Sequence, residues 1–269
     1  MPSNINDLLL YEEIDKIAVL TLNRPKQQNA LSSNLMKAIL NRLDKIENNK
    51  TIKAVTIFSN GNNFCAGHDL KELKIDKNEE RFKHLFELCS KLMLKIVKLP
   101  KPVIAGVQGI ATAAGCQLVA SCDLAIASDN SKFATPGVNI GLFCSTPMVA
   151  VSRNVTRKQT MEMLLLGEFI SPSKAQKIGL INKIVNIEHL KQETMKIAKI
   201  IASKSPATVA IGKEAFYKQL EMNIEDAYKY TSKVMSKNML KKDAQEGISA
   251  FIENRDPKWS DTDTYENDK

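Results

Sequence analysis

The sequence predicts an α/β protein: a core with a largely parallel sheet, followed by a helical C-terminal module. Three observations carry that reading. Strand-like and helix-like stretches alternate through the first half of the chain, the pattern that lays parallel strands beside crossover helices. Residues 103 to 127, VIAGVQGIATAAGCQLVASCDLAIA, are uncharged but for Asp123 and read as a buried strand, a small-residue turn, a short helix and a second buried strand. From Lys158 onward, apolar residues recur at helical spacing through six successive segments.

Residues 8 to 13 and 17 to 22 read as two strands joined by a tight Asp15-Lys16 turn, and Asn23-Arg24-Pro25 ends this hairpin. Ser32 or Ser33 caps a helix in which Leu35, Met36, Ile39, Leu43 and Ile46 recur at helical spacing to about residue 48. Residues 53 to 59 form a strand, and 79 to 99 a long amphipathic helix stopped by Pro100 and Pro102. In the central stretch the strands cover 103 to 107 and 124 to 127, and the helix starts near Ala114. Residues 132 to 137 read as a short strand ending in a loop, and 141 to 147 as a turn into a helix over 147 to 154. Helices are expected over 158 to 166, 172 to 178, 188 to 203, 206 to 220, 223 to 237 and 243 to 253. The expected organisation is a core over residues 1 to 195, a helical oligomerisation module over 196 to 259, and a polar, disordered tail over 260 to 269.

At 269 residues the chain can bury a substantial core. Hydrophobic content of 43% against 25% charged residues is the balance of an ordinary globular chain. The 38 Lys and Arg outnumber the 30 Asp and Glu by eight, but the cations are scattered, so a compositional bias accounts for the charge better than a nucleic-acid partner does. Five cysteines are an odd count, most of them in apolar or small-residue stretches, as reduced buried thiols are, and no Cys/His spacing suits a metal. The opening MPSNINDLLLYEEI is acidic and lacks Arg, so neither a secretory signal nor a transit peptide fits, and a cytoplasmic location is expected. No uncharged run has the length and apolarity of a membrane span.

The chemistry concentrates in two stretches. Only Ala, Gly and Thr occupy positions 111 to 115, so nothing bulky fills the space before the helix at Ala114. A helix start offers unpaired N–H groups to an oxygen that is or becomes negative. Such a place serves as an oxyanion hole or, equally, as a tight helix-to-strand packing site. The second stretch is Phe64-Cys65-Ala66-Gly67-His68-Asp69-Leu70-Lys71-Glu72. With Gln108-Gly109-Ile110-Ala111-Thr112-Ala113-Ala114-Gly115-Cys116-Gln117-Leu118-Val119 and Cys122-Asp123, it resembles the paired motifs of the crotonase (enoyl-CoA hydratase/isomerase) superfamily. Lesser matches, among them Leu22-Asn23-Arg24-Pro25 and Asn29-Ala30-Leu31, extend the resemblance over nearly the whole chain. Cys144-Ser145-Thr146-Pro147 and Gly115-Cys116-Gln117 look closest to one branch, the third group of enoyl-CoA hydratase domain-containing proteins.

The resemblance implies the crotonase spiral of ββα units, with C-terminal helices that assemble a trimer or a dimer of trimers. It implies acyl-CoA as the ligand, with the coenzyme A thioester as substrate and no separate cofactor. The thioester oxygen would be held by the backbone N–H groups of His68 and Ala114 as an enolate forms. Contacts to CoA would come from Arg24, Lys26, Ala66, His68, Lys71 and Phe251, the two lysines meeting phosphates or standing as ordinary solvated side chains.

The departures from the family pattern are equally specific. The two hydratase glutamates fall at Gln117 and Gly137. An amide moves no proton near neutral pH and glycine has no side chain, and losing general acid–base catalysis costs about 10² to 10⁴ in rate. The loop at 141 to 147 carries no carboxylate either. The polar groups left are Gln117, Asn139, Cys144, Ser145, Thr146 and the His68 imidazole, which serves as a base, stacks on the ligand or is a surface residue. Cys144 has no identifiable His partner that would make it a nucleophile, and Asp69 and Asp123 are expected to be structural. Two functions are open: an acyl-CoA enzyme of the lyase or isomerase class, tied to fatty acid metabolism, with atypical catalytic residues; or a catalytically inactive acyl-CoA-binding or scaffold protein. Restoring Glu at 117 and 137 is expected to raise crotonyl-CoA hydration by about 10², unless Gly137 has a positive φ.

Overall fold

The computed structural model describes residues 5–74 and 78–260, so the expected tail lies outside the described residues except for Ser260. A single turn, α1 (Ile5–Leu8), leads into the hairpin of β1 (Leu9–Ile14) and β2 (Ile17–Leu22). Asp15 and Lys16 both hold positive φ (51° and 65°), the geometry that matches a two-residue turn to the strands' twist. Then come α2 (Ser33–Asn48), β3 (Ala54–Ser59), α3 (Leu70–Lys74), α4 (Glu79–Lys98), β4 (Val103–Val107), β5 (Ile110–Thr112), α5 (Ala114–Ser121), β6 (Leu124–Ser128) and β7 (Lys132–Ala134). The chain finishes with α6 (Pro147–Val151), α7 (Arg157–Leu166), α8 (Pro172–Lys177), β8 (Lys183–Val185), α9 (Leu190–Ala202), α10 (Pro206–Gln219), α11 (Ile224–Met239) and α12 (Lys242–Ile252).

Six strands form one sheet in the order β1-β2-β3-β4-β6-β8, parallel except for β1, and β5 pairs with β7 in a separate parallel ribbon. Alternation along the strands sends side chains to two cores. Ala18, Leu20, Val55, Ile57, Val103 and Ala105 face the larger core with α2, α4 and α5, whereas Ile17, Val19, Ala54, Phe58 and Ile104 face a smaller one with Leu190, Met195 and Ala198 of α9. Both faces are therefore covered, which is why these strands read as nearly continuous apolar runs.

Three differences from the sequence reading bear on the site. The small-residue turn before Ala114 contains a strand, β5. The region from Lys158 is not wholly helical, because β8 returns to the sheet edge beside β6. The helix expected over 147 to 154 ends at Val151. Strands of three residues are too short to show a period of two against the helical spacing around them. Among the described residues no helix is long and apolar enough to cross a membrane.

Candidate functional site

The site forms where the chain after β3 crosses the chain after β4. The Cys65 N–H donates to the Ile110 carbonyl and the Thr112 N–H to the Cys65 carbonyl, both at 3.0 Å. Gly115 permits this approach, since a Cβ there would stand 2.2 Å from the Cys65 carbonyl oxygen. Gly67 has φ +93°, and a Cβ on it would lie 2.9 Å from the Ala113 Cβ and 3.4 Å from the Ala114 nitrogen. On the other side of the loop, the Leu31 N–H donates to the Gly67 carbonyl at 2.7 Å and the Asp69 N–H to the Leu31 carbonyl at 3.3 Å.

These bonds fix the neighbours of two amides and leave the two amides themselves free. Among the described residues, neither the His68 N–H nor the Ala114 N–H has a hydrogen-bond acceptor. Ala114 is the first residue of α5, where an N–H has no intrahelical partner and the helix dipole adds partial positive charge. The two donors lie on the two segments that the Cys65 bonds tie together.

Ala113 carries the strain of this turn, at φ 49° and ψ −119°, a region that L-residues rarely occupy. Replacing Ala113 with Gly is expected to stabilise the protein by about 1 kcal/mol, read as a higher midpoint in urea denaturation.

Gln117, one turn along α5, is buried, and its amide oxygen accepts from the Cys89 thiol of α4 at 3.8 Å. The other glutamate position is closed rather than merely empty. A Cβ on Gly137 would meet the Leu142 carbonyl oxygen at 2.7 Å and the Cys144 sulfur at 2.9 Å. The Leu142 N–H donates to the Gly137 carbonyl at 2.9 Å, and the Gly137 N–H donates to the Cys144 sulfur at 3.3 Å. The backbone of Gly137 lies outside the positive-φ region.

His68 packs edge-on against Phe86 of α4, with ring centroids 5.4 Å apart at 78°. Burial holds its imidazole below the usual histidine range, and the Leu31 carbonyl and Glu72 carboxylate offset this only in part. Neither ring nitrogen has a hydrogen-bond partner among the described residues, and the buried Thr135 hydroxyl has none either. Burial pushes the Cys65, Cys89 and Cys116 thiols up to about 12 and raises Cys144 as well, so these sulfurs are protonated and unreactive at neutral pH. Asn139 donates to the Gly167 carbonyl at 3.2 Å, the exposed Ser145 hydroxyl donates to the Phe143 carbonyl at 3.4 Å, and Thr146 is half-buried at the start of α6.

The residues expected to meet CoA are placed unevenly. The Arg24 guanidinium is committed to the Asp69 carboxylate at 2.8 Å and the Ala30 carbonyl at 2.5 Å. Ala66 flanks the loop, its N–H donating to the Gln28 carbonyl at 3.0 Å. Lys26 and Lys71 are exposed, and Phe251 stands 84% exposed on α12. Phe86, Cys89 and Thr135 were not foreseen from sequence; the first two are ordinary apolar positions of an amphipathic helix, and nothing in their spacing marks them. Among the described residues no group of three or more His, Cys, Asp or Glu side chains could hold a metal ion.

Residues 12–262 match the enoyl-CoA hydratase/isomerase family. The chain is 48% identical over 257 residues to the enoyl-CoA hydratase domain-containing protein 3, mitochondrial, of Xenopus laevis, covering 94% of this chain and 86% of that one. It is similar to the crystal structure of an enoyl-CoA hydratase of Mycobacterium smegmatis, with a TM-score of 0.92 and 47% identity over 94% of this chain and 98% of that one. The human enoyl-CoA hydratase domain-containing protein 3 structure matches with a TM-score of 0.91 and 46% identity over 94% of this chain and 100% of that one. The vertebrate relatives are named as mitochondrial, which overturns the expected cytoplasmic location. That expectation rested on the charge of the opening residues, and such a segment reports on its own amphipathicity, not on a compartment. With the family match over residues 12–262 and relatives this similar in sequence and structure, the chain belongs to the enoyl-CoA hydratase/isomerase family, with the crotonase fold.

Proposed function

We propose that this protein binds an acyl-CoA thioester and stabilises its enolate between the backbone N–H groups of His68 and Ala114. The observation that supports the reading is two main-chain donors without an acceptor among the described residues, on the two segments that the Cys65 bonds tie together. Each such donor is worth about 3 kcal/mol to a developing oxyanion, and neither depends on the side chain at its position. In this reading the exposed Lys26 and Lys71 meet the CoA phosphates, and Ala66 and Phe251 add further contacts to CoA. Arg24 supports the site differently, by holding Asp69 and so the loop that follows His68.

Calorimetric titration with acetoacetyl-CoA, an enolate mimic, is expected to show saturable binding; none up to millimolar ligand would reject the thioester site. Turnover separates two forms of the proposal. We favour an acyl-CoA enzyme of the lyase or isomerase class, because the sequence around the proposed hole is retained as a unit while only the proton-transfer groups differ. The lost carboxylates at Gln117 and Gly137 favour instead a binding protein without catalysis. Conversion of any member of a panel of enoyl-, 3-enoyl- and hydroxyacyl-CoA thioesters decides for the enzyme, and conversion of none decides for the binding protein.

The proposal includes a trimer or a dimer of trimers. Exposed apolar side chains crowd α11, α12 and the turn between them, with Ile224 at 77%, Tyr228 at 70%, Leu240 at 84% and Ile252 at 73%, more than an isolated surface ordinarily carries. Sedimentation is expected to give a trimer or hexamer at micromolar concentration; a monomer would reject the assembly.

A further inference from the structure

The His68 side chain is a polar group without a role in the reading above. A neutral imidazole carries one N–H and one lone pair, and here both nitrogens are buried without a partner. Buried polar atoms are almost always paired, so an unpaired one asks what completes it. The Leu31 carbonyl lies near enough to favour the charged ring, but neither nitrogen meets it in hydrogen-bond geometry, and Phe86 packs against the ring. Because the N–H of the same residue is a donor of the hole, the ring nitrogens lie within about 6 Å of that donor by covalent reach alone. Carbons 2 and 3 of an acyl group whose thioester oxygen sits in the hole fall in the same range.

The nearby groups share one character. The Gln117 amide oxygen is taken by the Cys89 thiol, and its NH₂ has no acceptor among the described residues. The nearest carboxylates are occupied: Asp69 by Arg24 at 2.8 Å, Glu72 by the Ser33 N–H and hydroxyl at 3.0 and 2.9 Å. Where the family pattern has two proton acceptors, this site has an amide and a filled backbone position, so its lining donates hydrogen bonds and suits a ligand with more than one acceptor oxygen.

We propose that His68 is a specificity-determining residue, whose imidazole N–H donates to an acceptor oxygen on carbon 3 of the bound acyl group, so that the site prefers 3-oxoacyl or malonyl-type thioesters to plain saturated ones. This rests on the acyl-CoA reading above. The test is calorimetric titration of the full chain with butyryl-, acetoacetyl- and malonyl-CoA. At least one of the two oxygenated thioesters is expected to bind about tenfold tighter than butyryl-CoA; which one distinguishes a ketone from a carboxylate as the oxygen. His68→Phe keeps a ring against Phe86 but has no nitrogen, and is expected to bring the ratio to within about twofold. His68→Gln, which restores a donor, is expected to recover part of it. Equal binding of all three thioesters by the parent overturns the proposal, as does a preference that survives in His68→Phe. Failure of every thioester, butyryl-CoA included, overturns the acyl-CoA reading itself.

Discussion

The double variant Gln117→Glu, Gly137→Glu is expected to hydrate crotonyl-CoA no faster than the parent, and to lose about 3–5 kcal/mol of stability. The sequence alone pointed the other way, with positive φ at Gly137 as the only foreseen obstacle. That obstacle is absent. What blocks the change is occupied space, because the first side-chain atom would stand 2.7 Å from the Leu142 carbonyl and 2.9 Å from the Cys144 sulfur. Two bonds fasten that loop onto Gly137, so it cannot yield without losing them. Forcing atoms into a packed position costs about 1–3 kcal/mol, and a carboxylate pressed against a carbonyl oxygen adds desolvation and repulsion of similar size. Urea denaturation and a crotonyl-CoA hydration assay read both effects. A tenfold gain in hydration with unchanged stability would show that the loop opens readily and that only two side chains separate this site from a two-carboxylate hydratase.

Lys213→Met is expected to cost about 3–5 kcal/mol, the effect of removing one partner from a buried ion pair. Lys213 and Asp123 meet at 2.7 Å with side chains only 6% and 16% exposed. The ammonium also donates to the Ile96 carbonyl at 3.0 Å and the Lys101 carbonyl at 3.2 Å, while Asp123 accepts from the Val103 N–H at 2.7 Å and the Tyr217 hydroxyl at 2.9 Å. Burial lowers the Lys213 pKa, with Asp123 opposing it, so the pair depends on both members. The cluster joins α10 to the end of α4 and the start of β4, two elements that frame the site. Without the ammonium, Asp123 keeps two donors and an uncompensated buried charge. The double variant Lys213→Met, Asp123→Asn removes that charge and is expected to recover about 1–2 kcal/mol of the loss. A change below 1 kcal/mol in the urea midpoint for Lys213→Met would mean that water reaches Asp123.

Much of this fold is legible in sequence because its signals are local. The Asp15-Lys16 turn, Ser32 capping α2 through the Leu35 N–H, and the prolines after α4 each act on their neighbours. The start of α5 at Ala114 was legible for the same reason. The pair of motifs around Gly67 and Gly115 located the chain crossing, since each glycine marks a backbone approach. What sequence did not disclose depends on residues far apart in the chain: the loop that fills the space at Gly137, the thiol of Cys89 on the Gln117 amide, and Lys213 reaching Asp123. Arg24 shows the limit within a recognised motif. Its place suggested a contact to CoA, and its guanidinium is held by Asp69, 45 residues away.

The chain crossing at Cys65 also sets how this region breathes. Its bonds join segments some 45 residues apart, Cys65 to Ile110 and Thr112 to Cys65, so no short stretch can fray by itself and expose the site. The amide hydrogens of Cys65, Thr112 and Ala113 should therefore exchange with solvent deuterium only through large-scale opening, on the slowest timescale the molecule has. The amides of His68 and Ala114, which have no acceptor among the described residues, should exchange early, and the proposed thioester binding should slow both.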